Sequence, residues 1–280
     1  MNIKSIKARA NELIAYCKPQ YIRILAIMTV VGLIPSSISS SGMTAVLFLL
    51  ISVLFIPFKH GYIVSSLKIV RNNFNELSDE DALVGLKRFK ELFFTYFLYE
   101  FIVCAVLFLL VPVIVIIASV LGLGIQNIWT MLTLTAFMSV AFSVVSMIVG
   151  LYGFAFPYLL EKYGYKGMDA IKESVRFIEG HLLDLFKLEF SYLGYMLVVV
   201  LVKVLCAQTF VFLGTLGNVI ASLASGVVAL CVYLPQYYVA KAIFFEEIAY
   251  KRYFEHELNE IDETDVDQEK AVEEQGENNV

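Results

Sequence analysis

The stretch 93–121, FFTYFLYEFIVCAVLFLLVPVIVIIASVL, decides the reading of this chain. Its 29 residues hold one charged side chain, Glu100. At ~1.5 Å per residue a helix of that length exceeds the ~30 Å hydrocarbon core of a bilayer. Working outward, five more apolar segments appear, at 21–38, 43–58, 128–158, 188–206 and 211–239. The expectation is an all-α polytopic membrane bundle of six transmembrane helices. Composition agrees: 59% of the 280 residues are hydrophobic, mean hydropathy is +0.75, and charged residues are 17% against about 25% in soluble domains.

Charge divides the chain in two. The net charge is −5, yet Glu255–Val280 holds eleven acidic residues and one basic residue, Lys270, so residues 1–254 are net positive. The expected organisation is a membrane domain over 1–254 and an acidic, disordered tail over 255–280. That tail either solubilises one face or binds a basic partner. Lys and Arg cluster before the first segment (Lys4, Lys7, Arg9, Lys18), between the second and third, and between the fourth and fifth, while the other connections are almost bare. By the positive-inside rule both termini are expected to face the cytoplasm. No short apolar core with a small-residue cleavage site begins the chain, so the first segment is expected to be retained. The basic residues form no continuous face of the kind that binds phosphates, which argues against nucleic acid as a partner.

A pattern recurs three times. An amphipathic stripe spaced four, three, four precedes each odd-numbered segment: Ile6, Ala10, Leu13 and Cys17; Ala82, Leu86, Phe89 and Phe93; Ile171, Val175, Ile178 and Leu182. Each predicts an interfacial helix. Each even-numbered segment ends in a proline, Pro57, Pro157 or Pro235. The expected architecture is therefore three repeats of interfacial helix plus transmembrane hairpin, with a proline kink closing each hairpin. Such kinks serve either packing or a ligand path.

Ser139, Ser143, Ser146, Gly150 and Gly153 form a small-residue face on the fourth segment, and Gly214, Asn218, Ser222 and Gly226 one on the sixth, beside a second row of Gly217, Ala221 and Ser225. Small residues let helices approach closely, so these two helices are expected at the centre of the bundle. Charged groups within spans are few. Glu100 is read either as an intramembrane functional carboxylate or as an interfacial group between Tyr96 and Tyr99. Glu189, at the start of the fifth segment, and the three prolines complete the ligand or path candidates. No nucleophile elbow, phosphate loop, dinucleotide fingerprint or metal-binding His pair is present, so no catalytic residue, metal or cofactor is expected. His60, His181 and His256 are isolated in sequence, and Cys17, Cys104, Cys206 and Cys231 have no paired spacing.

Three stretches resemble a known family. They are Gly61-Tyr62 with Leu67-Lys68, Arg71 and Asp81–Phe89; Ser174 with Phe177–His181, Phe186 and Phe190–Tyr195; and Pro235, Tyr237, Ala242 and Phe244–Glu247. Together they resemble the bacterial six-span membrane proteins of domain-of-unknown-function family 975, which look distantly similar to the membrane domain of some glycerophosphodiester phosphodiesterases. The chain departs from that pattern at Tyr195, where tryptophan is common, and at Gln236, where tyrosine is common. The resemblance implies the six-span architecture and no particular reaction. The reading that follows is a non-enzymatic membrane protein that binds or passes a small amphipathic ligand, or assists another envelope component. The alternatives are an enzyme using His60 and His181 on lipid headgroups, and a structural subunit that partners another membrane protein.

Overall fold

A computed structural model describes residues 2–32, 53–120 and 128–255. Among these residues every regular element is helical. The α-helices are α1 (Ile3–Gly32), α2 (His60–Val70), α3 (Phe89–Val120), α4 (Ile128–Tyr152), α5 (Phe156–Tyr163), α6 (Gly167–Ile178), α7 (Leu182–Phe190), α8 (Leu193–Thr209), α9 (Thr215–Val232) and α10 (Leu234–Tyr250), with short helical turns between them. Phe89–Val113, Thr135–Tyr163 and Thr215–Val232 are long and apolar enough to cross a bilayer, and α7–α8, bent by 44°, adds a fourth if taken as one span. Much of the first two expected segments lies outside the described residues, as do the connection around Gly122 and the tail from His256 onward.

The spans and the rest of the molecule are packed very differently. Only 6%, 17% and 28% of the three spanning windows is buried, a degree of apolar exposure that suits hydrocarbon and not water. The packed layer lies instead around α10, whose Val239, Ala240, Ala242, Ile243, Phe244, Phe245, Ile248 and Ala249 are buried. Apolar residues on almost every side make a helix central. Phe245 stacks on Tyr158 of α5 and on Phe177 of α6, with ring centroids 4.9 Å apart in each pair. Phe244 meets Phe154 edge-on at 5.7 Å. The first two-thirds of α1 closes the layer through Ile6, Ala10, Ile14, Cys17 and Tyr21. Lys7 lies 4.3 Å over the Tyr192 ring and donates to the Ser191 carbonyl at 3.4 Å.

Several expectations change in detail. Among the described residues no separate interfacial helix precedes the first segment: α1 runs unbroken from Ile3 to Gly32, and Pro19 sits exposed inside it. The second amphipathic stretch is also not one helix. Ser78 and Asp81 form a capping box that starts a turn over Asp79–Leu83, a second turn covers Val84–Lys87, and α3 begins at Phe89. Gly85 is buried there, and a Cβ on it would fall on the Pro57 carbonyl oxygen and 2.7 Å from Phe58 Cα. In α6 the buried stripe is Ala170, Ile171, Ser174, Phe177 and Ile178, while Val175 is exposed. Gly180, at φ 81°, separates it from α7.

The three prolines stand at helix starts and not within continuous helices, Pro157 at the break between α4 and α5 inside the apolar stretch Thr135–Tyr163. Pro57 lies in the first turn of Ile56–Lys59, Pro157 opens α5 and Pro235 opens α10. A first-turn proline lacks only an N–H that the helix leaves unused. Each therefore starts a new helix. Nor do the fourth and sixth segments form the centre. Ser139, Ser143, Ser146 and Gly150 are exposed, and the Ser139 and Ser143 hydroxyls donate to their own helix's carbonyls at 2.9 and 2.8 Å. On α9 the second row, Gly217, Ala221 and Ser225, is the buried one, whereas Gly214 and Asn218 are exposed. Ser222 and Gly226 are half-buried, and a Cβ on Gly226 would stand 2.7 Å from Thr29 Cγ2.

Candidate functional site

Residues 191–192 join α7 to α8, and Glu189, in the last turn of α7, meets α10. Tyr237 and Lys241 are one helical turn apart on α10, a spacing that puts both on one face. The Tyr237 hydroxyl donates to Glu189 Oε2 at 2.7 Å, Lys241 Nζ pairs with Glu189 Oε1 at 2.8 Å, and Lys241 also donates to the Tyr237 oxygen at 3.1 Å. The ammonium lies 4.8 Å over the Tyr237 ring and 5.4 Å over the Phe154 ring, within the range of cation–π attraction. A closed three-membered polar cluster results, with both Glu189 oxygens bonded.

This cluster ends a cavity of about 540 Å³. Met147, Gly150 and Leu151 of α4 form one wall, and Phe186, Phe190, Leu193 and Met196 of α7–α8 form the other. A Cβ on Gly150 would meet nothing within 4 Å, so the missing side chain is part of the space. Volume and lining match a small-molecule pocket: ~300–1,000 Å³, mostly apolar, with a few convergent polar groups. Polar groups at one end and apolar walls at the other favour an amphipathic occupant.

A second polar network surrounds His60, which is fully buried. Its Nδ1 lies 2.9 Å from the Tyr96 hydroxyl and its Nε2 2.9 Å from Glu161 Oε2. A carboxylate only accepts, so Nε2 carries the proton toward Glu161 and, in the neutral ring, Tyr96 donates to Nδ1. Arg88 Nη1 reaches the same Glu161 oxygen at 2.6 Å, and Arg88 Nε reaches Glu91 at 2.9 Å. Those hydrogen bonds, the one donated to Glu91 foremost, hold the Arg88 guanidinium still further above its usual range. The hydroxyl–imidazole–carboxylate order has the form of an activated nucleophile. Here it is closed in: Tyr96 is 6% exposed and His60 not at all. Its evident work is to tie α2, α3 and α5 together.

His181 lies just before α7, with its pKa lowered, first by burial, against the opposing pull of Asp184. His256 lies outside the described residues. No group of three or more His, Cys, Asp or Glu side chains able to hold a metal occurs among the described residues.

Of the residues singled out by sequence, Glu189 is the one the structure places in the cavity with polar partners. Gly150 lines the same cavity from the opposite side. Glu100 is half-buried on α3 and makes no hydrogen bond or ion pair with the described residues. Gly153 gives room to the Tyr99 ring, whose hydroxyl donates to the Val149 carbonyl at 3.3 Å. Sequence reasoning missed Tyr237 and Lys241 because it treated the chain beyond Pro235 as the end of the last span. The available signal was a lone lysine within the apolar run Val239–Ile243, one turn after a tyrosine.

The fold and site define a helical membrane protein with an apolar, polar-ended cavity between four of its helices. No protein-family model, curated protein or solved structure matches the chain.

Proposed function

We propose that this chain is a non-enzymatic multi-pass protein of the bacterial plasma membrane that binds a small amphipathic ligand in the cavity between α4, α7, α8 and α10. The observation carrying this reading is the junction of about 540 Å³ of mainly apolar space with the Glu189–Tyr237–Lys241 cluster. Membership of the six-span family is part of the proposal, as are three repeats of an amphipathic stretch plus hairpin, with both termini cytoplasmic. Prolines at the start of three helices and the spacing of the apolar runs support the repeats. The clustering of Lys and Arg supports the orientation. Single cysteines at Ser40 and Gly122, introduced into a cysteine-free background, test it: both are expected to react with an impermeant thiol reagent on intact cells.

The binding reading is tested by filling the cavity. Gly150→Phe places a ring where a Cβ meets open space, so the fold should tolerate it. Cross-linking of a photoactivatable fatty-acyl probe to Met147 and Leu193 is expected to fall about tenfold, which corresponds to ~1.4 kcal/mol of lost affinity. Unchanged cross-linking in a folded Gly150→Phe variant would overturn the reading.

A further inference from the structure

Resting on the amphiphile-binding reading of the cavity, we infer that its polar end selects a phospholipid whose head carries both a primary ammonium and a phosphate, over heads carrying a phosphate alone. An ammonium has three donors and a carboxylate about four acceptor sites. In the cluster Lys241 directs two protons to Glu189 and Tyr237, and Glu189 accepts one bond on each oxygen. One donor on Lys241 and further acceptor sites on Glu189 remain. The Lys241 and Glu189 side chains are only 20% and 25% exposed, so stripping either from its partner leaves a poorly solvated charge, which is costly.

An incoming head therefore has to dock on the pair without breaking it. A head with a phosphate alone can accept from Lys241, but it brings a second negative charge against Glu189. A lone ammonium meets the converse problem at Lys241. An aminoalkyl phosphodiester satisfies both, its ammonium donating to Glu189 and its phosphate accepting from Lys241. A trimethylammonium has no N–H to donate and loses that hydrogen bond. The source is a lipid and not the free head, because Phe190 and Leu193, lining the same cavity, are 61% and 41% exposed and offer an apolar surface for acyl chains.

The full chain, extracted gently and equilibrated with vesicles of equal parts phosphatidylethanolamine, phosphatidylcholine and phosphatidylglycerol with identical acyl chains, is read by native mass spectrometry. The ethanolamine lipid is expected to be retained about tenfold over either competitor. Glu189→Gln, which leaves Lys241 uncompensated, is expected to move the preference to phosphatidylglycerol. Equal retention of all three lipids would overturn the headgroup inference and leave the cavity as a general acyl site. No retained lipid would overturn the binding reading itself. An ethanolamine preference that persists in a stably folded Glu189→Gln protein would place the selection elsewhere and also overturn the inference. Tyr237→Phe removes one hydroxyl and serves if Glu189→Gln is unstable; a preference undiminished in that variant counts against the cluster.

Discussion

The packed layer around α10 and the spans are both apolar, yet they are held by different physics. In the layer, aromatic side chains bury one another: Phe244 and Phe177 are 0% exposed, and Tyr158 is 1% exposed. In the spans, Phe101 and Phe108 are 61% and 76% exposed. Water exclusion by neighbouring side chains stabilises the first region, whereas the bilayer itself supplies the solvent for the second. Hydrophobicity alone therefore does not locate the core of this protein. What separates the two regions is interruption: short helices, turns and capped breaks gather in the layer, and long uninterrupted helices leave it.

The contrast is open to direct attack. Phe244→Ala is expected to lower stability by ~3–5 kcal/mol, the usual cost of emptying a buried aromatic site. Phe108→Ala should change it by no more than about 0.5 kcal/mol. Both are measurable by unfolding titration in detergent or bicelles, and comparable losses would dissolve the distinction. The glycines make a second pair. Gly85→Ala drives a methyl against the Pro57–Phe58 backbone and is expected to cost up to ~3 kcal/mol by overpacking. Gly150→Ala meets open space and should stabilise α4 by about 0.5–1 kcal/mol.

Thiol chemistry sharpens the comparison further. Burial pushes the Cys17 pKa up to about 11, two pH units above an ordinary value of 9.0. In a protein retaining Cys17 alone, alkylation near pH 8 is therefore expected to run about 100-fold slower in the folded state than in denaturant, since the thiolate is the nucleophile. Equal rates would mean that the layer opens readily at α1.

The smallest effect belongs to His181. Its folded pKa lies below the unfolded value of 6.5, so the unfolded chain takes up the proton first. This contribution is fully present above pH 6.5 and declines as pH falls toward the folded pKa. The ring is partly exposed and screened, so the decline is small. His181→Gln should flatten the stability–pH curve in that window, as read by thermal unfolding at a series of pH values.

How much of this was legible depended on the residue type at each boundary. The runs around 93–121 and 211–239 announced spans by length, because no soluble core needs such uninterrupted apolarity. The breaks were harder. Gly85 carries no side chain to reveal that it is buried, and the Ser78–Asp81 capping box stands ahead of a stripe that periodicity alone reads as one helix. The prolines marked breaks, but whether each kinks a helix or starts one was hidden: a proline in a helix's first turn and one at a kink look alike in sequence, and only the backbone distinguishes them. At the candidate site Glu189 stood out as a charge in an apolar setting. Its partners sit 48 and 52 positions later, brought near by the packing of α10, which no local pattern encodes.

The continuity of α1 carries a mechanical consequence. From Ile3 to Gly32 it is one helix of 30 residues, roughly 45 Å of strut at 1.5 Å per residue. Its first turns grip the bend between α7 and α8 through Lys7, while its later turns press Met28 against α2 at Gly61. The two contacts stand 21 residues apart, about 31 Å along the axis, so about 5° of tilt around one displaces the other by roughly 3 Å. A tilt of α1 about the Met28 contact would therefore be felt at the bend that follows Glu189.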